Sequence, residues 1–537
     1  MVEHNVIVIG DLRLIEGKDI CTNNIQSIED FKDLNKKIER RIKLYRLDSL
    51  LLKIHDTSLS YEDADNINLD FIAGMITKYA LLNSNVYSGL FPVYDEEFRE
   101  LTRMITECLI YDPEFEKERK LMVDQEERAA SLLLRKIGSQ ARWNIQHHNI
   151  LGRTIFLYDE MIKDVKTPTF IKELVNFKFE EKFGLPLLDF IKIGFLLWAG
   201  SRNPGGMNRE YFEIARRQEM PIPNDKIVQK CLEHFACDLY QFKTICRERE
   251  LMEGDLHAYK FNPLFEYPII RPWKGNHQEK TTDDKFIAPV PNLVLYRFTI
   301  GLYYQLFNTF KESFSTAFGD LFELYVGKLL EWCELLGKFL TENDIKKYLP
   351  NYKGKKPDYV VFCDGGVILI ECKATKYTQD MYELGLKAEA KSCIDQVAKA
   401  IKQMNDFEHQ IPSITKACGI NYTDLQVHKV IISFENLLGL KEGPFRNWID
   451  REKREEGIKA DWQILWVWYL EEIQPHIAKG ANLWSFLIDN DKKSFDKIIK
   501  EMESKTGASY TDGVLSKYEN RIFNELTKNG ELLKKLG

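Results

Sequence analysis

The sequence predicts an α/β protein in which a large, mainly α-helical N-terminal region precedes a small mixed sheet held between helices. Residues 1–250 repeat apolar side chains at three- and four-residue spacing, which is the period of amphipathic helices. Beyond residue 290, a helical pattern leads into two short apolar runs joined by Asp364-Gly365-Gly366. A helix and two further apolar runs follow. The order helix, hairpin, helix, strand, strand is typical of an α/β sandwich.

The individual elements follow from the same periodicities and from turn residues between them. The helical periods cover 67–82, 98–110, 129–145, 293–310, 315–340 and about 388–407. The strand patterns cover the hairpin at 358–374 and the runs at 427–434 and 462–471, and helices are expected again within 482–537. We therefore expect a helical domain at 1–250, a linking segment at 251–290, a domain built around the mixed sheet at 291–480 and C-terminal helices at 481–537 that pack on it.

Composition narrows the classes of protein. A chain of 537 residues exceeds one ordinary core, so two to four domains are expected. Ten cysteines without framework spacing favour a reducing, cytoplasmic location. The N-terminus lacks a signal-peptide pattern, and the most apolar helix, 185–199, carries Asp189 and Lys192, so no membrane segment is expected. The net charge of −7 means that a nucleic-acid partner would need a locally basic surface.

The hairpin carries the most specific chemistry. Asp358 opens its first strand, and Glu371 and Lys373 end its second. Because side chains alternate along a strand, Glu371 and Lys373 point to the same face, and the turn brings Asp358 alongside Glu371. Two carboxylates with a backbone carbonyl between them form a hard oxygen site for Mg²⁺ or Mn²⁺. Lys373 could orient or deprotonate an attacking water. The turn residue Asp364 is not expected to be a ligand.

A third acid is predicted upstream, in the apolar helical segment 318–330. Glu323 lies there with Gly319 and Gly327 one turn to either side. A glycine inside a helix costs about 1 kcal/mol relative to alanine, so the pair predicts that another backbone approaches this face closely. We therefore take Glu323 as a further metal-site acid.

These motifs resemble the PD-(D/E)xK nuclease superfamily, which has the restriction-endonuclease-like fold, over roughly residues 300–475. The resemblance implies that Glu323 lies on the core helix, that Asp358 and Glu371 hold the metal, and that Lys373 is the catalytic lysine. It also implies in-line attack that leaves a 5′-phosphate. Family members often carry a glutamine or basic residue on the next helix, and Gln396 is the nearest match. Gln396, its helical neighbour Lys399 and the preceding Lys356 are the candidate substrate-binding residues.

The expected function is a Mg²⁺-dependent endonuclease acting on DNA, of a bacterial restriction or antiviral (anti-phage) defence type. RNA as substrate, or a catalytically silent nucleic-acid-binding scaffold, remain alternatives at this point. The region 1–250 carries no recognisable chemistry, and we expect it to bind a target, a partner protein or a second copy of the chain, or to restrain the nuclease.

Other patterns favour structural roles. Cys231, His234, Cys237 and Cys246 lack the turn that separates ligand pairs in zinc sites, so buried core residues are expected. His147-His148 and the basic helix before it are expected to be solvated. No Gly-Lys-Ser/Thr phosphate loop occurs, which argues against an ATPase. The tryptophans at 462, 466 and 468 are expected to alternate along a strand as core residues.

Overall fold

The structure is a computed structural model that describes most of the chain. The described residues are 5–9, 12–16, 27–60, 68–84, 91–110, 140, 142–143, 149–208, 210–217, 220–249, 261–271, 285–333, 339–376, 392–420, 426–437, 446, 450, 462–490 and 495–527. Most of the predicted helix 129–145, and His147-His148, lie outside this set.

Helices make up most of the described chain. The α-helices are α1 (Ile28–Ile42), α2 (Leu47–Ser60), α3 (Asn68–Asn83), α4 (Asp95–Ile110), α5 (Ile150–Ile155), α6 (Thr169–Glu173), α7 (Phe179–Phe183), α8 (Leu187–Ser201), α9 (Tyr211–Arg217), α10 (Asp225–Phe235), α11 (Leu239–Glu248), α12 (Pro291–Phe298), α13 (Ile300–Trp332), α14 (Glu342–Tyr348), α15 (Ser392–Glu408), α16 (Ile411–Ala417), α17 (Val467–Ala478), α18 (Leu483–Asn490), α19 (Phe495–Thr506) and α20 (Val514–Thr527). Short π-helical turns cover Phe156–Glu160 and Leu174–Lys178, and 3₁₀ turns cover Met161–Lys163, Pro263–Phe265 and Tyr510–Asp512.

Within the part of the chain that the structure describes, the strands form one five-stranded sheet and three two-stranded pairs. They are β1 (Asn5–Ile9), β2 (Leu12–Glu16), β3 (Met207–Asn208), β4 (Ala236–Asp238), β5 (Ile269–Arg271), β6 (Lys285–Phe286), β7 (Phe339–Thr341), β8 (Tyr359–Cys363), β9 (Gly366–Lys373), β10 (Gln426–Ser433) and β11 (Trp462–Trp466). The large sheet has the order β11-β10-β9-β8-β7. Strand β8 is antiparallel to β7 and β9, whereas β9, β10 and β11 run parallel. The predicted mixed sheet between helices is confirmed.

Side-chain alternation along β9 assigns its two faces to different helices. Ile368, Ile370 and Cys372 pack into the larger core with α13 and α17, whereas Val367 and Leu369 pack with the apolar face of α15. On that second face, the buried Lys429 of β10 pairs with Glu408 of α15 at 3.0 Å. The parity predicted for the hairpin is confirmed, and Glu371 and Lys373 share the face that α15 covers.

Among the described residues, the larger core runs continuously from α1 to α20. Buried side chains from Phe31 in α1 to Leu526 in α20 belong to one cluster. Polar contacts also join the two halves: the buried Arg153 of α5 lies 3.1 Å from Glu471 of α17, and Tyr325 of α13 donates to the same carboxylate at 2.7 Å. The helical N-terminal region and the sheet region are thus held by shared apolar and ionic contacts.

Two predicted elements end earlier than expected, and one strand was not predicted. The predicted strand at 462–471 ends at Trp466, because α17 begins at Val467, so Trp468 lies on a helix beside Trp466 (ring centroids 5.2 Å apart). The predicted helix 315–340 ends at Trp332, and Phe339–Thr341 is the edge strand β7. Apolar side chains at the end of a helix and in a short strand gave one unbroken pattern, which periodicity alone does not separate.

Cys231, His234, Cys237 and Cys246 do not lie on one continuous helix, because strand β4 separates α10 from α11. Cys231, Cys237 and Cys246 are buried, and burial raises the pKa of each thiol. His234 Nε2 donates to the carbonyl of Phe183 at 2.9 Å. These contacts support the predicted core role.

Among the described helices, none alone is both long and apolar enough to cross a membrane. Thr169–Phe183 and Leu187–Ser201 have the required length and apolar composition only when taken together, and they are bent by 70° where they meet.

Helix α13 is sharply kinked at Lys311, whose φ is 50° and ψ is −127°. The side chain is exposed, and a non-glycine residue at positive φ costs about 1–2 kcal/mol. We expect Lys311→Gly to raise the free energy of unfolding by about 1 kcal/mol, measured by chemical denaturation. Lys311→Ala is the matched control and should change it little. A loss of about 1 kcal/mol in the glycine variant, as in an ordinary helix interior, would contradict the kink.

Candidate active site

Strand pairing positions the two hairpin carboxylates. In the register of β8 and β9, Tyr359 faces Ile370, so Asp358, one residue before β8, lies beside Glu371. The Asp358 Oδ2 accepts a hydrogen bond from the Cys372 backbone N–H at 2.6 Å. Glu371 is only 2% exposed. The turn at Asp364-Gly365 that makes this pairing possible has Gly365 at φ 128°, a conformation that favours glycine.

Lys373 lies two residues further along the same face of β9. Its Nζ is 3.5 Å from Glu371 Oε2, and its side chain is 26% exposed. The ammonium therefore touches both the buried carboxylate and solvent. The structure thus places Glu371 and Lys373 side by side, as strand alternation predicts.

Glu323 approaches from α13, which packs on the opposite face of the sheet. The Tyr359 hydroxyl donates to the Glu323 backbone carbonyl at 2.8 Å and fixes the helix against β8. A Cβ at Gly327 would come within 2.5 Å of that hydroxyl, so this glycine admits the Tyr359 side chain. Gly319 has nothing within 4 Å of its Cβ position, and nothing in the structure explains it. The predicted close approach thus occurs at one glycine, and a side chain makes it.

Gln403 of α15 is a site residue that the sequence did not single out. Its Nε2 donates to Glu371 Oε1 and, at 2.7 Å, to the backbone carbonyl of Lys356. The predicted Gln396 is exposed two turns away on the same helix. The two glutamines are seven residues apart and share a helix face, so helical phase could not distinguish them. Their position along the helix axis decides which one reaches Glu371.

The other predicted substrate-binding residues lie around this helix and the segment before Asp358. Lys399 is exposed on α15 one turn from Gln403. The Lys356 Nζ donates to the carbonyls of Tyr352 and Gly354, each at 3.3 Å. Gln403 therefore joins the Lys356 segment to the acidic centre, whereas Gln396 and Lys399 extend away from it.

Burial and mutual repulsion make the acids of this site reluctant to ionise together. Burial, followed by the charge of Asp358, raises the pKa of Glu371 to about 8 and that of Glu323 to about 7. Burial also raises the pKa of Asp358, against the opposing hydrogen bond from Cys372. Like charges close together are stabilised by a cation between them, so the centre is electrostatically suited to one.

The donor set fits a hard divalent ion. Glu371 Oε2 is buried and has no hydrogen-bond partner, while Gln403 occupies its other oxygen. Asp358 adds a second carboxylate. Among the described residues, no group of three or more His, Cys, Asp and Glu side chains could hold a metal ion. A two-carboxylate site suits Mg²⁺, which commonly keeps several waters and uses one or two protein carboxylates.

The raised pKa values predict how stability depends on pH. Glu323 and Glu371 ionise in the folded chain above the ordinary value of 4.5, so the folded state binds more protons than the unfolded state between about pH 4.5 and 8. In EDTA, stability should therefore fall as pH rises through that window. Glu371→Gln should make this fall shallower in denaturation curves measured at each pH.

Divalent metal should reverse the loss, because it binds only the folded, ionised site. At pH 8, Mg²⁺ at a hundred times its Kd should raise the free energy of unfolding by about 2.7 kcal/mol, and Glu371→Gln should abolish that gain. Other buried acids, including Glu471 and Glu472, also have raised pKa values. Comparing the wild type with Glu371→Gln therefore isolates the contribution of Glu371. If the free energy of unfolding falls equally steeply with pH in both proteins, the raised pKa does not belong to Glu371.

The constellation is thus Asp358, Glu371, Lys373 and Glu323, with Gln403 as its support. The comparisons add no relative to this picture: no family model, no curated protein and no solved structure matches the chain.

Proposed function

We propose that this protein is a divalent-metal-dependent nuclease with a restriction-endonuclease-like core, most simply a DNA endonuclease. The single observation that carries the proposal is the convergence of the acids and lysine at the end of β9. Asp358 lies beside Glu371, a buried Glu371 oxygen lacks a hydrogen bond, and Lys373 lies 3.5 Å away from that oxygen. Such an activity would suit a bacterial restriction or anti-phage role.

The topology supports the same proposal. An acid-bearing helix, α13, packs on one face of the sheet, and α15 packs on the other. The antiparallel hairpin β8–β9 carries the metal acids, and the parallel strands β10 and β11 extend the sheet beyond it. This arrangement includes, in the same order, the helix, hairpin, helix, strand and strand that the sequence periodicity predicts, and it supports the proposed core.

In the proposed hydrolysis, each residue of the site would have its own role. When bound, the ion supplies Lewis-acid polarisation of the phosphoryl oxygen and acidifies water at the site. Asp358 and Glu371 would hold it, with the Cys372 carbonyl as a further oxygen donor. Gln403 fixes one Glu371 oxygen and leaves the other toward the centre. Lys373 would orient the attacking water and offset charge that develops on the phosphate. Glu323 would complete the negative rim.

The test is cleavage by the purified protein. Supercoiled plasmid, linear DNA and RNA are each incubated with Mg²⁺, Mn²⁺ or EDTA, alongside Asp358→Ala and Lys373→Ala. Asp364→Ala is the matched control, because it removes an exposed carboxylate from the turn of the same hairpin. We expect metal-dependent DNA cleavage that both site variants lose and the control keeps.

Each other result has a defined meaning. Cleavage that survives both site variants would refute the assigned centre. Cleavage of RNA alone would transfer the same chemistry to RNA. An absence of cleavage with any metal and substrate would favour a non-catalytic scaffold and overturn the proposed activity.

A further inference from the structure

A group of exposed lysines borders the acidic centre on the side of Gln403. Lys353 and Lys355 lie in the irregular segment that leads from α14 into Asp358, and Lys399 and Lys402 lie on α15. The Gln403 hydrogen bond to the Lys356 carbonyl, at 2.7 Å, holds the segment and the helix together. We call these four residues the lysine strip (Lys353, Lys355, Lys399 and Lys402).

The strip differs from the other lysines nearby in lacking acidic partners. All four side chains belong to exposed residues, and none has an ion pair within the described part of the chain. On the adjacent helix α14, by contrast, Lys346 pairs with Glu342 at 3.1 Å and Lys347 pairs with Asp344 at 3.0 Å. The strip therefore presents positive charge that neighbouring side chains do not neutralise.

The geometry of α15 gives the strip a direction. Lys399 lies one turn before Gln403, about 6 Å along the axis, and Gln396 lies about 10 Å away on the same face. Asp395 and Asp406 lie near the two ends of this stretch of α15 and limit its positive charge. The polar face thus offers a row of donors that starts beside Glu371 and runs outward.

We infer that the lysine strip, together with Gln396, holds the sugar–phosphate backbone of a nucleic acid several nucleotides long, next to the bond to be cleaved. This inference rests on the proposed function and extends it from the cleavage centre to the surface that holds the substrate beside it. A chain with net charge −7 has no overall attraction for nucleic acid, so a local cluster of positive charge is needed to decide where the polymer binds. Contacts to phosphates carry no sequence information, so binding by this surface should be largely independent of sequence.

Binding is tested without chemistry, in Ca²⁺ in place of Mg²⁺, by fluorescence anisotropy with a short labelled DNA duplex. The variants are Lys353→Gln/Lys355→Gln and Lys399→Gln/Lys402→Gln. The control, Lys346→Gln/Lys347→Gln, makes the same change in composition on neighbouring, ion-paired lysines. Affinity is measured between about 50 and 200 mM salt, because each phosphate contact contributes about −0.9 to the slope of log K against log salt.

Each double substitution in the strip should weaken binding by about tenfold or more. It should also make the slope of log K against log salt shallower by about 1.8, and combining the two double substitutions should make it shallower by about 3.6. The control should change both little. In cleavage assays, the strip variants should raise KM more than they lower kcat. If strip and control variants behave alike, or if affinity falls with no change of slope, the inference is wrong.

The outcomes also separate this inference from the proposed function. Lys373→Ala should bind DNA with nearly the wild-type slope while losing cleavage. If the wild-type protein cleaves nothing but the strip variants lose binding and slope, the nuclease proposal fails and the binding surface stands. If the protein cleaves and the strip variants bind as the wild type does, only the strip fails.

Discussion

Glu371→Gln is expected to lower kcat for DNA cleavage by about a thousandfold or more, equivalent to about 4 kcal/mol of transition-state stabilisation. The substitution keeps the size of the side chain and an oxygen for Gln403, but removes the charge that would hold the metal. Glu371 is the most buried of the proposed ligands, at 2% exposure. An anion from solvent therefore cannot take the place of its carboxylate in the variant. The measurement is single-turnover cleavage at saturating protein and Mg²⁺.

A metal titration distinguishes a ligand from a residue that acts on water. Calorimetry should show that Glu371→Gln loses Mg²⁺ binding, whereas Lys373→Ala retains it and loses turnover. Asp364→Asn, in the exposed turn, should change neither. Wild-type kcat and wild-type Mg²⁺ affinity in Glu371→Gln would exclude it as a ligand.

Arg153→Met is expected to cost about 3–5 kcal/mol of the free energy of unfolding, because it leaves a buried carboxylate without its cation. The side chains of Arg153 and Glu471 are 4% and 0% exposed and lie 3.1 Å apart. Burial already raises the pKa of Glu471 to about 7, and loss of the guanidinium would raise it further. The penalty should therefore be smaller at pH 5, where Glu471 is protonated, than at pH 8.

The double variant Arg153→Met/Glu471→Gln is the matched control for that result. Glutamine retains an acceptor for the Tyr325 hydroxyl, which donates to Glu471 at 2.7 Å, and removes the unpaired charge. Denaturation curves should recover most of the loss in the double variant. If the two single substitutions and the double substitution are additive, the ion pair does not couple the two helices.

The sequence predicted the sheet region well because local chemistry dictates it. The Asp364-Gly365-Gly366 turn fixes the hairpin, and strand parity places Glu371 and Lys373 on one face whatever packs above it. The helix at Ser392–Glu408 keeps the predicted apolar face, which packs with Val367 and Leu369 of β9. Edge strand β7 was missed because a three-residue strand has too few side chains to show a period of two.

The remainder of the site depends on distances that no local pattern encodes. Gln403 reaches Glu371 because of its position along the axis of α15, and the periodicity of the sequence does not specify that position. Glu323 was predicted because it lies in an apolar helical segment with a glycine one turn to either side, and only one of those glycines, Gly327, admits a close neighbour. The lysine strip joins residues more than forty positions apart in the chain, so only the fold reveals it.

The shared core has a consequence for how the protein folds during synthesis. Helix α20 packs on α5 at the point where Gly152 lies against the Leu515 backbone, and α5 in turn carries Arg153 toward α17. The elements that support strands β8 and β9 therefore close only after residues 514–527 have left the ribosome. Nascent chains that already contain Asp358, Glu371 and Lys373 would lack this support until α20 has been synthesised and has packed on α5.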